Sequence, residues 1–233
     1  NKELIITYYQ LQNNVDNLIK KLFALQNEFI SADLEQRKII YNNNRKLYNS
    51  LKNKSCENNE LEIASLFIFL NKTCFNGLYR VNKNGDFNVP MGSYKNPLIC
   101  DEFNLNKSSS LLKNVKIICG DYSRCIDYIN DETFVYIDPP YRPLTQTSSF
   151  TSYSAKVFDD KEQIRLADFI NIISRKGAIV VASNSDPQNA DENDMFFDNL
   201  YRNYSIKRIQ AKRAINSKSE GRGNVSELLI SNF

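Results

Sequence analysis

Asp138-Pro139-Pro140-Tyr141 follows directly on the apolar run Phe134-Val135-Tyr136-Ile137, so the tetrapeptide falls at the carboxyl end of a strand, where open α/β sheets bind their ligands. Two successive prolines stop the backbone from continuing a ladder and stiffen the loop. An Asp carboxylate and a Pro carbonyl can therefore present two fixed acceptors. That pair suits a particular chemistry. The exocyclic amino group of adenine is a poor nucleophile because its lone pair is delocalised into the ring. Two acceptors gripping its two N–H bonds favour a tetrahedral nitrogen and free the lone pair for attack on a methyl sulfonium. Asp138 and the Pro139 carbonyl would be those acceptors, with Tyr141 stacking on a base flipped from its duplex. The rest of the task is to hold nucleophile and methyl group in line. A strand-ending turn could use the same four residues structurally.

The frame for such a loop is bounded by composition. With 233 residues and 42% hydrophobic content, the chain suits one α/β domain carrying a sizeable insertion, two small domains being the alternative. No run approaches the roughly 18 apolar residues of a membrane span, and the start lacks a basic-then-apolar signal pattern, so a soluble cytoplasmic protein is expected. Cys56, Cys74, Cys100, Cys119 and Cys125 form no CxxC pair, and an odd number fits poorly with a secreted disulfide framework. Histidine is absent, which excludes His-based triads and the common His metal motifs, and no metal site is expected. The net charge of +3 permits a polyanionic partner without demanding one. Lys and Arg recur over 72–95 and 207–222, while Asp and Glu collect over 186–198; these read as basic patches or as solvated helix faces.

Apolar residues at helical spacing predict helices over 3–25, 32–51 and 61–69. Two short extended runs follow, 78–81 and 87–89, around Asn84-Gly85, which supplies the positive-φ positions of a tight hairpin turn; a loop over 90–97 comes next. The second half alternates: strand 115–119, helix 122–129, strand 134–137, a polar loop over 139–154, then a helix over about 160–174 opened by Asp159 and Glu162 at capping-box spacing. The β-branched run 178–182 suits a buried parallel strand, and two later strands around 206–209 and 225–230 close the sheet.

Asp138-Pro139-Pro140-Tyr141-Arg142-Pro143-Leu144, continuing to Ser149-Phe150-Thr151-Ser152-Tyr153, resembles the catalytic loop of the Dam-type DNA adenine-N6 methyltransferases (D12 class, alpha group). Phe75-Asn76-Gly77-Leu78-Tyr79-Arg80-Val81-Asn82 and Phe87-Asn88-Val89-Pro90, with Gly92, Tyr94 and Lys95, are similar to that family's target-recognition hairpin. Both stand in the family's order. Ser183-Asn184 and Glu227-Leu228-Leu229 add to the likeness, which spans most of the chain. The resemblance implies a Rossmann-like S-adenosylmethionine-dependent methyltransferase sheet with a mainly helical target-recognition insertion carrying a β-hairpin. Residues 1–25 and 111–233 would be the catalytic core and 26–110 the recognition region, with the hairpin at about 78–90. It further implies methyl transfer to N6 of adenine in duplex DNA, within GATC, from S-adenosyl-L-methionine. Asp121 and Tyr122, after Gly120, become candidate cofactor residues together with Asp138, although Asp121 could simply cap the next helix. Asn76, Arg80, Asn82, Lys83, Asn84 and Asn88 become candidate DNA contacts, and Lys95, Arg213 and Arg222 candidate phosphate contacts. For each of these an ordinary surface role is the alternative, and Asn76 and Asn88 could satisfy turn backbone.

The family's opening segment, with a glycine-rich Phe-x-Gly-x-Gly turn and an acidic ribose-binding residue, has no counterpart here; the single Gly-x-Gly is Gly221 to Gly223. The expectation is an amino-terminally incomplete copy whose own activity is in question, and a non-catalytic DNA-binding remnant is the competing reading. A methyltransferase acting on cytosine N4 or a protein glutamine is the third; Asp at 138 and the hairpin argue against it. The resemblance leaves open a solitary role or the modification half of a restriction-modification pair, whose cognate endonuclease would act on the same site without a stable complex. Family members commonly act as monomers.

Overall fold

The computed structural model describes residues 1–52, 59–143, 158–212 and 224–233. They fall into two compact units, one over 1–119 and one over 120–233.

The first unit is helical: α1 (Lys2–Asn13), α2 (Val15–Ser31), α3 (Leu34–Lys52), α4 (Glu60–Thr73) and α5 (Glu102–Leu112). The helix expected over 3–25 is broken at Asn14, whose φ of −146° is non-helical. Its side chain donates to Gln10 Oε1 at 2.9 Å and accepts from Asn17 at 2.7 Å, local bonds of the kind by which Asn competes with helical backbone. Helix α4 is buried on nearly every face and packs against α1, α2 and α3. Its Ile63, Leu66, Phe69 and Leu70 meet Leu18, Leu22, Phe29, Tyr41 and Tyr48 in one core.

The chain leaves α4 through a reversal in which Asn76 takes φ 54°, then forms a two-limbed antiparallel loop. The two strands expected there reduce to a single bridge, Val81 to Phe87. Asn82 N–H donates to Asp86 O and Gly85 N–H to Asn82 O, giving a three-residue turn with its left-handed position at Gly85 (φ 83°) rather than at both Asn84 and Gly85. Gly92 returns the chain under α4, its N–H on Thr73 O; a Cβ there would stand 2.8 Å from Cys74 O.

The strand expected over 115–119 does not form. Its partner-seeking carbonyls are taken by α1 side chains, Gln12 donating to Val115 O at 2.8 Å and Tyr9 to Ile117 O at 2.7 Å.

The second unit is a mixed four-stranded sheet, order β1-β2-β4-β3, with β1 at Phe134–Ile137, β2 at Ile179–Ser185, β3 at Ser205–Lys212 and β4 at Asn224–Ser231. Strands β1 and β2 are parallel, with Phe134 opposite Ile179 and Ile137 opposite Ala182; β4 runs antiparallel to both its neighbours. Helix α6 (Asp160–Arg175) links β1 to β2 and starts where Asp159 accepts from Glu162 N–H at 3.1 Å. Its Leu166, Ala167, Ile170 and Ile173 lie on Val180, Ala182, Leu228 and Ile230. The opposite face of the sheet leaves Phe134 and Tyr136 exposed. The helix expected over 122–129 is a 3-10 helix, Tyr122–Tyr128, and a short α7 (Phe196–Leu200) precedes β3. No helix among the described residues is long and apolar enough to cross a membrane.

Candidate functional site

Strand β1 delivers Asp138-Pro139-Pro140-Tyr141 to its carboxyl end. There the end of β2 and the first turn of α6 grip it by side chains. Ser183 Oγ donates to Asp138 Oδ1 at 3.0 Å, setting the rotamer of a carboxylate that stays exposed. Gln163, fully buried on α6, donates to Pro140 O at 3.1 Å and accepts from Asn184 Nδ2 at 3.1 Å. Asn184 Oδ1 in turn accepts from Arg142 N–H at 3.1 Å, and Ser185 Oγ donates to Arg142 O at 2.7 Å. The loop is thus pinned on both sides of Tyr141, while Pro139 O accepts no hydrogen bond among the described residues. Tyr141 is half-buried with its hydroxyl 3.5 Å from Glu227 Oε2, and burial raises its phenol above the ordinary value.

Arg142 anchors the loop further along. Its guanidinium donates to Asp160 at 2.8 Å and to Asp194 at 2.6 Å, and lies 4.4 Å over the Phe196 ring. The bonds to Asp160 come first among the causes that raise its pKa. Burial pushes the Asp194 carboxyl up, but the Arg142 and Phe196 N–H bonds outweigh it and leave the group below its usual range.

Beside the loop, Tyr122, Val135, Ile137, Pro139, Phe158 and Phe169 contribute to a cavity of about 330 Å³, with Asp138 also at its wall. That is the low end of the roughly 300–1,000 Å³ of small-molecule sites. The walls suit a flat heteroaromatic ring, and the Tyr122 hydroxyl is buried without a hydrogen-bond partner among the described residues. The Tyr122 ring meets Phe169 edge-on at 5.2 Å and carries the Arg165 guanidinium 4.6 Å above it. Asp121 caps the 3-10 helix through Ser123 N–H at 3.1 Å and takes two bonds from Arg165, at 3.1 and 2.8 Å. The Arg165 bonds, first among the causes, hold its carboxyl far below the carboxylate range. Its capping role is thus realised.

In the first unit, Asn76, Arg80, Asn82, Lys83, Asn84, Asn88 and Lys95 are all exposed. Arg80 Nε donates to Asn88 Oδ1 at 2.8 Å, linking the two limbs. Asn82 Oδ1 accepts from the N–H groups of Asn84 and Asp86, both at 2.9 Å, so Asn82 serves the turn itself. The side chains of Lys83 and Asn84 make no hydrogen bond among the described residues. Arg213 and Arg222 lie outside the described residues.

Sequence reasoning missed Gln163, Ser185, Asp160, Asp194 and Arg165. One signal was present: Gln163 occupies the same helical face as Leu166, Ile170 and Ile173, a polar residue at a core position.

Residues 1–215 match the model of the D12 class N6 adenine-specific DNA methyltransferases. The type II methyltransferase M.MjaIII of Methanocaldococcus jannaschii is 50% identical over 234 residues, covering 100% of this chain and 78% of that protein. M1.LlaDCHI of Lactococcus lactis subsp. cremoris, also a type II methyltransferase, is 35% identical over 100% of this chain and 77% of its own length. The DNA adenine methylase of Vibrio cholerae serotype O1 is 33% identical over 81% of this chain and 66% of its own.

Proposed function

Since the chain belongs to the D12 class of N6 adenine-specific DNA methyltransferases, we propose that it methylates adenine N6 within GATC in duplex DNA, using S-adenosylmethionine and a flipped base. The observation that carries this reading is the pinned Asp138-to-Arg142 loop, with the Asp138 carboxylate oriented by Ser183 and the Pro139 carbonyl without a hydrogen bond among the described residues. Asp138 and Pro139 O accept from the two N6 hydrogens, so the nitrogen lone pair turns out of conjugation. Pro140 holds the loop rigid, and Tyr141 stacks on the extruded ring. The cofactor, when bound, supplies an electrophilic methyl on sulfur. Its adenine moiety would occupy the cavity of Tyr122, Phe158 and Phe169, with Asp138 at the wall, while Asp121, bonded to Arg165, fixes the start of the 3-10 helix that carries Tyr122. Holding both partners in line is the chain's main contribution to rate.

The region 26–110 serves target recognition through a hairpin at about 78–90. Arg80, Lys83, Asn84 and Asn88 face the bases, Asn76 and Asn82 shape its turns, and Lys95, Arg213 and Arg222 meet phosphates. The relatives named type II methyltransferases favour a role in a restriction-modification pair; the cognate endonuclease would act on the same site without a stable complex, and the methyltransferase would work as a monomer.

Labelled S-adenosylmethionine and two duplexes, one with a single GATC and one with that site scrambled, test the reading. Label is expected in the adenine of the first alone, and Asp138→Ala is expected to lower transfer by about 10²–10³-fold or more. Equal labelling of both duplexes would remove the GATC assignment, and an active Asp138→Ala would remove the catalytic one. DNA binding without transfer to any adenine would favour the non-catalytic remnant.

A further inference from the structure

The loop over 78–90 has two hydrogen-bonding edges, and residues alternate between them. Asn82 N–H bonds to Asp86 O and Asn88 N–H to Arg80 O, so the even-numbered residues of the second limb face the first limb. The odd-numbered ones face α3. Asn49 Nδ2 donates to Phe87 O at 3.0 Å while its Oδ1 accepts from Phe87 N–H at 2.8 Å. This side-chain amide pairs with a peptide as a neighbouring strand would. Tyr41 Oη donates to Val89 O at 2.8 Å, Arg45 to the same oxygen at 3.2 Å, and Lys52 to Gly85 O. Positions 41, 45, 49 and 52 lie on one face of a helix. The side chains of Phe87 and Val89 are 3% and 1% exposed, which leaves Asn88 turned outward between them.

We propose that Asn49 is a specificity-determining positioning residue, acting as a surrogate strand that locks the register of the recognition loop. A slip of one residue in such a limb exchanges inward and outward side chains, so an unlocked loop would present Arg80, Lys83, Asn84 and Asn88 at no fixed depth. The inference rests on the reading that this loop faces the bases. It separates two quantities: phosphate contacts do not require register, whereas base contacts do. Loss of Asn49 therefore degrades discrimination among sequences while leaving affinity for DNA in general.

The test uses the full chain with a duplex pool randomised over its central base pairs, sequenced after capture, and Kd values for the preferred and scrambled duplexes. Amide exchange at Phe87 reports the lock directly. Asn49→Ala is expected to speed that exchange and to cut the preferred-to-scrambled affinity ratio by about tenfold, with scrambled binding within about twofold of wild type. Asn49→Asp, which keeps the acceptor for Phe87 N–H but opposes a carboxylate to Phe87 O, is expected to lose discrimination too, and it decides the matter if the alanine variant does not fold. Faster Phe87 exchange with an unchanged ratio would overturn the proposal. If Arg80→Ala and Lys83→Ala alter neither affinity nor preference, the loop does not face DNA, and the underlying reading fails for a reason independent of Asn49.

Discussion

Arg142 ties the loop over 138–142 to the start of α6 and to the segment before α7, through Asp160 and Asp194. Asp194 is the better shielded of the two, its side chain 25% exposed against 52% for Asp160, so its bond to Arg142 is screened less by water. Its carboxyl is depressed in the folded state. The stabilisation is therefore present above the unfolded carboxylate value of about 3.9 and fades as pH falls through the lower folded value. Asp194→Asn is expected to cost about 1–3 kcal/mol at neutral pH and to flatten the loss of stability on acidification. Urea midpoints at pH 7, 5, 4 and 3 check this; parallel pH profiles for the two proteins would show that Asp194 contributes nothing through its charge.

Helix α6 does more than cover the sheet, because its first turns carry Gln163 under Pro140. Gln163→Leu keeps the volume and removes both bonds, stranding Pro140 O and Asn184 Nδ2. The expected cost is about 1–3 kcal/mol for the unsatisfied groups. The expected kinetic signature is a lower kcat with an unchanged KM for DNA, since the loop loses its pin and not its DNA contacts. A rise in KM alone would place Gln163 in binding. Helix α6 was legible in the sequence because its signals are local: an apolar stripe and Asp159 as cap. The Asp138 loop was legible for the same reason, two prolines at the end of an apolar run. The strand misread at 115–119 and the helix break at Asn14 were decided by partners or local bonds that apolar spacing does not encode. Gln163 shows the same limit, since its value lies in what α6 and β2 bring to it.

The described residues form two hydrophobic cores, one centred on α4 and one between α6 and the sheet. Leu66→Ala and Ile170→Ala, each emptying a fully buried site, are expected to cost about 2–5 kcal/mol within their own units. Hydrogen exchange distinguishes this from global coupling: Leu66→Ala should loosen α1 and α4 and leave β2 and α6 protected, and Ile170→Ala the reverse. Equal loosening everywhere would make the chain one cooperative unit. The division also bears on descent. Helix α3 holds the loop through main-chain atoms, namely Gly85 O, Phe87 N and O, and Val89 O, and asks nothing of the side chains at 83 and 84. Those positions can be exchanged by mutation without disturbing the frame, so, on the proposal that this loop reads the bases, a lineage would drift from one DNA word to another by resetting a few letters while the press that holds them stays the same.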